Sequence, residues 1–461
     1  MSYVVREVRE RIERERSRLI EELIELLRYP SVSATGEGIR GCVEAVRSAM
    51  EGVGLKVDVY EEGGNPILFG ELREERHGTL LIYNHYDVQP PDPLKEWQTP
   101  PFSPTIRDGR VFARGATDNK SHLLARLKAI EVLMSLYGEV PVNIKFVVEG
   151  EEEIGSKSFT DFVRRRAEML DADACLWENG TVDESGRPIV HLGAKGMLYL
   201  EMEARQERPD LHSSWSPVIE NPAWRLIRAL STMRDDGGNV TIEGFYDDVE
   251  DLDSSSVQMI ETLTKEGFED YEEYERHSIG SIGSKAEFLR RLLSHPSMNV
   301  SGIYSGYSGI GSKTVLPNRA VAKIDVRLVR EMRPERVVSL IESHLERHGF
   351  KDLELRELQS YPAARTSPDS PIARVALETA EIAYGRRSFF YPYSPTSGPM
   401  YLITDVLKIP CVGVGFFRKD SHIHAPNENV RVEDYLNGIE HIALILANFV
   451  PYMRWGEMPY R

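Results

Sequence analysis

The sequence predicts an α/β protein in which one domain is interrupted by another. Three observations carry this reading. Up to residue 194, short β-favouring runs alternate with segments of helical periodicity. Near Lys195-Gly196 the pattern turns into alternating, half-polar strands around helices, and after residue 361 the first pattern returns. Strands alternating with helices give a largely parallel sheet with helices packed on it. At 461 residues the chain has room for two domains, each with its own core. The boundaries that follow are 1–194 and 362–461 for a discontinuous first domain and 195–361 for the insert.

In chain order, residues 4–28 carry Val4, Val5, Val8, Ile12, Leu19, Leu23 and Leu26 at helical spacing and form an amphipathic helix. A second helix spans about 38–52, followed by strands near 55–60 and 66–72. "GTLLIYNHYDVQPPDP" is a buried strand running into a proline-rich loop. "GRVFARGATDNKSHLLARLKAIEVLMSLYG" gives a short strand, a glycine turn and a helix from near Ser121. "VNIKFVVEG" is the next strand, "SFTDFVRRRAEML" the next helix, and "DACLWENG" a strand that stops sharply. In the insert, "GMLYLEMEAR" has the alternation of a solvent-facing strand. A helix near 222–235 follows, then an acidic, helix-rich stretch over 246–296. "AVAKIDVRLVR" and "DLELRELQ" are strands around the helix "RPERVVSLIESHLERHG". The helix in "SPDSPIARVALETAEIAYG" and the buried strand "PCVGVGF" restore the first pattern.

Composition narrows the function classes. The chain is 41% hydrophobic and 28% charged, as soluble globular proteins are. A net charge of −17 argues against nucleic acid or an anionic membrane as partner and favours divalent cations. Cys42, Cys175 and Cys411 are far apart with no CxxC spacing, which fits a reducing compartment and argues against a disulfide framework or a cysteine-held zinc. The arginine- and glutamate-rich N-terminal segment has no apolar core of a signal peptide, and no run approaches the roughly 18 apolar residues of a membrane span. A cytoplasmic location is expected.

The polar residues fall at strand ends. "LLIYN" runs into His85 with Asp87 two residues on, and "IKFVVEG" into Glu151, Glu152 and Glu153. "ACLW" runs into Glu178, and "CVGVGFF" leads to "RKDSHIHAPNE" with His422 and His424; Asp118 sits in the turn before a helix. Each alone has an ordinary explanation. The acidic run would be a solvated loop, His85 a loop histidine, Asp118 a helix N-cap and Glu178 a strand-end carboxylate facing water. His422 and His424 would share a face of a strand, but a loop need not turn both inward. Taken together, ligands at the carboxyl ends of an open α/β sheet mark a site. Carboxylates with neutral imidazoles and no thiolate suit zinc, manganese or cobalt. A pair of such ions would turn a repulsive acidic run into a stabilising one.

The segments "HYDVQP", "EWQTPPFSPTIRDGRVFARGATDNK", "EGEEEIGS", "DLHS", "TVLPNRAVAKIDVRL" and "HAPNE" resemble the M20 metallopeptidase family in its dipeptidase, carnosinase-like branch. The resemblance covers nearly the whole chain in order. It implies a zinc-peptidase-like catalytic domain with an inserted α+β ferredoxin-like lid and dimerisation domain. It implies two divalent ions per subunit, zinc foremost, one held by His85, Asp118 and Glu178. The other is held by Asp118, Glu153 and His424, with Asp118 bridging. Asp87 would orient the His85 ring, Glu152 would be the general base, and the peptide after Asp118 would be cis. His212 would reach across a homodimer to the partner's oxyanion. Arg327, with Ser397 and Gly398, would hold the substrate's C-terminal carboxylate; without the resemblance, Arg327 would be a salt-bridge partner of Asp325 on the same strand face. Glu178 departs from the aspartate common in the dipeptidase branch and resembles the carboxypeptidases and amide deacylases. The activity implied is hydrolysis of dipeptides or short peptides with a free C-terminus. N-acyl-amino-acid deacylation and a silent metal- or peptide-binding role are the alternatives; an intact Glu152 beside a full ligand set argues against the second.

Overall fold

The computed structural model describes residues 3–73, 78–267, 277, 282–456 and 458–459. They form two compact units. One comprises the described residues of Met1–Gly193, Arg365–Pro392 and Pro399–Arg461, the other those of Ala194–Ala364 and Tyr393–Gly398.

The first unit is built on a nine-stranded sheet. Its order is Lys56–Tyr60, Ile67–Leu72, Asn143–Glu149, Thr79–His85, Ala174–Trp177, Cys411–Gly413, Pro188–His191 and Phe389–Tyr391, with Thr181–Val182 beside Pro188–His191. Only part of it is parallel, where a largely parallel sheet is expected from the sequence. Asn143–Glu149, Thr79–His85, Ala174–Trp177 and Cys411–Gly413 run parallel at the centre. Lys56–Tyr60, Ile67–Leu72 and Asn143–Glu149 are joined antiparallel, as is Cys411–Gly413 to Pro188–His191. The connection from Tyr60 to Ile67 is too short for a crossover, so that pair must fold back as a hairpin. The central strands are apolar along their length, Leu80, Leu81, Ile82, Ile144, Phe146, Leu176 and Val412 all being fully buried. Burial on both faces is what a parallel core demands.

Helices cover this sheet. Tyr3–Leu27 buries Val5, Val8, Ile12, Leu19 and Leu23, the stripe its spacing predicts. Lys120–Tyr137 is buried from Lys120 to Ile130 and ends at the left-handed Gly138. From its centre, the fully buried Arg126 donates to the carbonyls of Trp177 at 2.8 Å and Val414 at 2.7 Å. One side chain thereby pins the ends of two neighbouring strands. The helix expected over "SFTDFVRRRAEML" is broken at Arg166 into Lys157–Arg165 and Ala167–Leu170. Among the described residues, no helix is long and apolar enough to cross a membrane. All three cysteines are free and buried.

The second unit has the element order β-α-β-β-α-β of a ferredoxin-like fold. Gly193–Arg205, Pro222–Thr232, Ser297–Ser305, Arg319–Leu328, Pro334–Arg347 and Glu354–Tyr361 carry it in this order, with further helices and short strands inserted between them. These four strands lie in the order Ser297–Ser305, Arg319–Leu328, Gly193–Arg205, Glu354–Tyr361, each antiparallel to its neighbour, in a sheet whose six strands include Ala364–Arg365 and, parallel to Gly193–Arg205, Ser394–Ser397. Gly193–Arg205 is therefore an interior strand and not the solvent-facing one its alternation predicts. Leu198, Leu200 and Met202 pack with Ile324, Val326, Leu226 and Ile341 in one core, while Glu201 on the other face pairs with Arg356 at 2.7 Å. A polar residue on an alternating strand thus marks a paired charge, not free water. Residues 393–398, assigned from sequence to the first domain, belong here, because Ser394–Ser397 pairs with Ala194 and Lys195. Of the acidic stretch over 246–296, helices Ser254–Thr262 and Lys285–Ser294 are present, and residues 268–276 and 278–281 lie outside the described residues.

Two buried histidines of the first unit make its stability pH-dependent. Burial holds His191 and His441 down at about 4, His441 with its Nε2 hydrogen-bonded to the Ala376 carbonyl at 2.8 Å. An unfolded histidine titrates near 6.5. The unfolded chain therefore binds protons that the folded one refuses, and stability falls as pH drops from about 6.5 towards 4. Each histidine contributes about 2–3 kcal/mol of that loss by pH 4.5. Urea unfolding at pH 7 and pH 4.5 should show a smaller drop for His441→Gln than for the wild type; an equal drop contradicts a buried neutral imidazole.

Candidate metal centre

Four strand ends of the first unit converge. His85 closes strand Thr79–His85 and lies in register beside Glu149. Its Nδ1 faces the Asp87 carbonyl at 3.1 Å and the Asp87 carboxylate at 3.3 Å. A proton on Nδ1 leaves Nε2 with a free lone pair. That Nε2 lies 3.2 Å from Asp118 Oδ1 and 3.2 Å from Glu178 Oε2. The other oxygen of Asp118 belongs to a second group. His424 Nε2 is 3.1 Å from Asp118 Oδ2 and 3.0 Å from Glu153 Oε2. The ligand atoms of Asp118, Glu153 and His424 all lie within 4.8 Å of one another. Asp118 thus turns one carboxylate oxygen to each set of donors. The Asp118-Asn119 peptide is cis, and Asn119, not Asp118, occupies the N-cap position of the following helix, its side-chain oxygen accepting from Asn84 instead of a helix N–H.

His422 does not join either set. Both His422 and His424 have positive φ, 55° and 60°, so strand alternation does not govern where they point. His422 is exposed, and of the two it is His424 that pairs with the carboxylates.

The glutamates of the acidic run take separate tasks. Glu149 accepts a hydrogen bond from the Tyr83 hydroxyl at 2.7 Å, and burial pushes its carboxyl up to about 8. Glu151 accepts the backbone N–H groups of Asn65 at 3.0 Å and Ser158 at 2.9 Å. It thereby satisfies the start of helix Lys157–Arg165. Glu152 and Glu153 turn towards the cluster on a 3₁₀ turn that ends at Gly155, whose φ of 104° suits glycine alone. Among the described residues, no side-chain hydrogen bond or ion pair holds the Glu152 carboxyl.

The charges show what this cluster lacks. Burial, together with the charges of neighbouring carboxylates, raises Glu152 well above the ordinary carboxylate range, with Glu178 the foremost neighbour. Burial raises Glu178 to about 8, with His85 opposing and Asp118 adding, and burial and Asp118 raise Glu153. Burial opposes the charge on His424, but Asp118 and Glu153 lift it to about 11; Asp118, hydrogen-bonded to His424 and flanked by His85, is held low despite burial. Protons are thus drawn onto both imidazoles and carboxyls, as expected where negative charge outweighs positive. Two buried atoms, His85 Nε2 and Glu178 Oε2, also face each other with no hydrogen-bond partner among the described residues. Imidazole nitrogen and carboxylate oxygen aimed at a common point are the donor set of a divalent transition metal, and the residues present fit two such ions.

Two residues, Gln89 and Glu428, escaped the sequence reading, and Asp87 does more than orient the His85 ring. The Asp87 carboxylate accepts the N–H of Glu152 at 3.2 Å and of Glu153 at 3.1 Å, so it sets both glutamates as well as the histidine. Gln89 donates to Glu153 Oε2 at 3.0 Å. Glu428 accepts the N–H groups of Gly115, Thr117 and Asp118 at 2.9–3.0 Å and pairs with Arg114 at 2.7 Å, all fully buried save Asp118. Glu428 therefore fixes the loop that presents Asp118. Gln89 and Glu428 stand inside "HYDVQP" and "HAPNE", the signal that could have found them.

The remaining predicted residues lie in the second unit. His212 is exposed, with Ser214 Oγ 3.0 Å from Nδ1. Arg327 donates to Ser397 Oγ at 2.7 Å, and Ser397 donates to the Gly196 carbonyl at 3.1 Å. Asp325 is 3.7 Å from Arg327, so the ion pair on the shared strand face is a loose one. Gly398 follows in the same segment and is buried.

Known proteins agree with this architecture. The sequence model described as "Peptidase family M20/M25/M40" matches residues 81–448. The chain is 27% identical to the Beta-Ala-His dipeptidase of Rattus norvegicus over 81% of this chain and 77% of that protein. It is 28% identical to the Cys-Gly metallodipeptidase dug1 of Schizosaccharomyces pombe, with 81% of each covered. Among solved structures, the M20 family metallo-carboxypeptidase Sso-CP2 of Sulfolobus solfataricus superposes with a TM-score of 0.87 at 39% identity, over 93% of this chain and 98% of that one.

Replacing Glu428 tests the loop. Glu428→Ala should lower affinity for Zn²⁺ at least about tenfold, as loss of groups that orient ligands does. Competition with a chromophoric chelator measures it; unchanged affinity contradicts the role given to Glu428.

Proposed function

The chain belongs to peptidase family M20/M25/M40, and from that premise we propose that it is a metal-dependent exopeptidase acting on dipeptides or short peptides with a free C-terminus. The observation that carries this is the division of Asp118, one oxygen to His85 and Glu178, the other to Glu153 and His424, beside an unpaired Glu152. A binding protein has no use for a carboxyl of raised proton affinity held free at that point.

The two donor sets take two divalent ions, with zinc preferred on ligand chemistry. Bound there, the ions would supply Lewis acidity to the scissile carbonyl and to an attacking water. Glu152 takes a proton from that water as its oxygen attacks the carbonyl carbon. When the C–N bond breaks, Glu152 returns the proton to the leaving amine. Asp87 keeps Glu152 in place through its backbone N–H while Glu153, one residue on, faces His424. Adjacent glutamates thereby play unlike parts.

The second unit supplies substrate contacts in this reading. Arg327, steadied by Ser397, holds the C-terminal carboxylate, with Gly398 leaving room beside it. His212 acts on the partner subunit's substrate in a homodimer formed through this unit. Its exposure supports that role, and so does the edge strand Ser297–Ser305, where Val300, Ile303 and Tyr304 are exposed. An apolar edge strand is a ready surface for pairing with a second copy. The free buried cysteines support a cytoplasmic setting. Similarity to Sso-CP2 and the presence of Glu178 favour the carboxypeptidase side of the exopeptidase range.

Glu152→Gln should retain metal while kcat falls at least about 10²-fold. Turnover of dipeptides, longer peptides and N-acyl amino acids with Zn²⁺, Mn²⁺ or Co²⁺ measures this. Undiminished turnover removes Glu152 as the base, and cleavage of N-acyl amino acids alone removes the peptidase reading.

A further inference from the structure

The second unit contains a cavity of about 450 Å³ bordered by Arg327, Lys195, Arg234 and Arg291. Among the described residues no aspartate or glutamate lines it, in a chain whose net charge is −17. Arg291 is answered by Glu287 at 2.8 Å. Lys195 is not answered: it is 4% exposed, its Nζ donates to the His295 carbonyl at 2.6 Å, and no carboxylate pairs with it among the described residues. Among the described residues, Arg327 has the loose Asp325 and the neutral Ser397 as its side-chain partners. Arg234 donates its Nε–H to the Gly238 carbonyl at 3.2 Å and is exposed. Burial lowers the Lys195 ammonium to about 8, and the charge of Arg327 pushes the same way. Two cations bordering one cavity without an acid between them repel each other, and an anion placed there removes the repulsion. The rest of the wall includes Val240, Tyr246, Phe288 and Met298.

Reach connects this cavity to the substrate. In a peptide whose terminal carboxylate rests on Arg327, the side chain of the last residue leaves the carbon next to that carboxylate. The space that Arg327 borders lies within its reach. We propose that this cavity receives the C-terminal side chain and that Lys195 and Arg234 make it select an acidic residue, glutamate above all. The proposal rests on the exopeptidase reading above. A C-terminal glutamate carries two carboxylates, one for Arg327 and one for Lys195, and its two methylenes suit the apolar wall. Glutamine has the same shape without the charge, so it separates electrostatic selection from fit.

The test compares Ala-Glu, Ala-Gln and Ala-Leu as substrates of the metal-loaded protein. Ala-Glu should exceed Ala-Gln in kcat/KM at least about tenfold. Lys195→Met should lower the Ala-Glu to Ala-Gln ratio at least about fivefold, whereas a structural fault would lower both rates and leave the ratio. Arg234→Gln, a substitution at an exposed site, should lower the same ratio and stands in if the buried substitution impairs folding. Calorimetric titration of both peptides into metal-loaded Glu152→Gln protein separates the two readings. Preference for Ala-Glu in binding, with no peptide cleaved by the wild type, refutes the exopeptidase and keeps the cavity's selectivity. Equal binding and equal turnover of the two peptides, or a ratio unmoved by both substitutions, overturns the proposal.

Discussion

Repulsion among carboxylates at the ends of four strands is the constraint to which the first unit is built. Glu149, Glu151, Glu152, Glu153, Glu178, Asp87, Asp118 and Glu428 crowd one edge of the sheet, far more negative charge than two histidines can balance. The fold disposes of these charges in different ways. Glu149 is pushed towards its neutral form under the Tyr83 hydroxyl, Glu151 and Asp87 are spent on backbone N–H groups, and Glu428 is held by Arg114 and three N–H groups. What is left over is Asp118, Glu152, Glu153 and Glu178. Those four are the ones aimed at the point where cations would sit.

The scaffold beneath is correspondingly rigid. Arg126 lies fully buried under the cluster with carbonyl oxygens as its acceptors, and its charge opposes that of Glu178. A cation satisfied by carbonyls holds the ends of Ala174–Trp177 and Cys411–Gly413 together without neutralising the carboxylates above. The same economy shows at Asp87, whose ring contact and two backbone contacts tie His85, Glu152 and Glu153 into one piece. Catalytic groups held by short backbone contacts keep the geometry that proton transfer requires.

Much of this was legible in the sequence, and the failures have physical causes. Apolar runs ending in His85, Glu149, Trp177 and Gly413 announced the central strands, because burial on both faces leaves a continuous apolar stretch. The antiparallel flank was hidden, since direction depends on loop length and neighbour and not on the strand's own residues. Gly193–Arg205 misled for a related reason: Glu201 looked like a surface residue but is covered and paired with Arg356. His422 and His424 could not be told apart by spacing once the backbone turned into positive φ. Gln89 and Glu428, and Asp87 in its contacts to Glu152 and Glu153, act on groups distant in the chain, so these roles emerge only when the loops are brought together.

The account stands on Asp118 joining two donor sets around two divalent ions. Metal content answers it most directly: protein dialysed against Zn²⁺ and then against metal-free buffer, measured by inductively coupled plasma mass spectrometry, wild type beside Asp118→Ala. Two ions per chain in the wild type and fewer than one in the variant are expected. A single ion in the wild type, or the same content in both proteins, would contradict a shared carboxylate at the heart of the site.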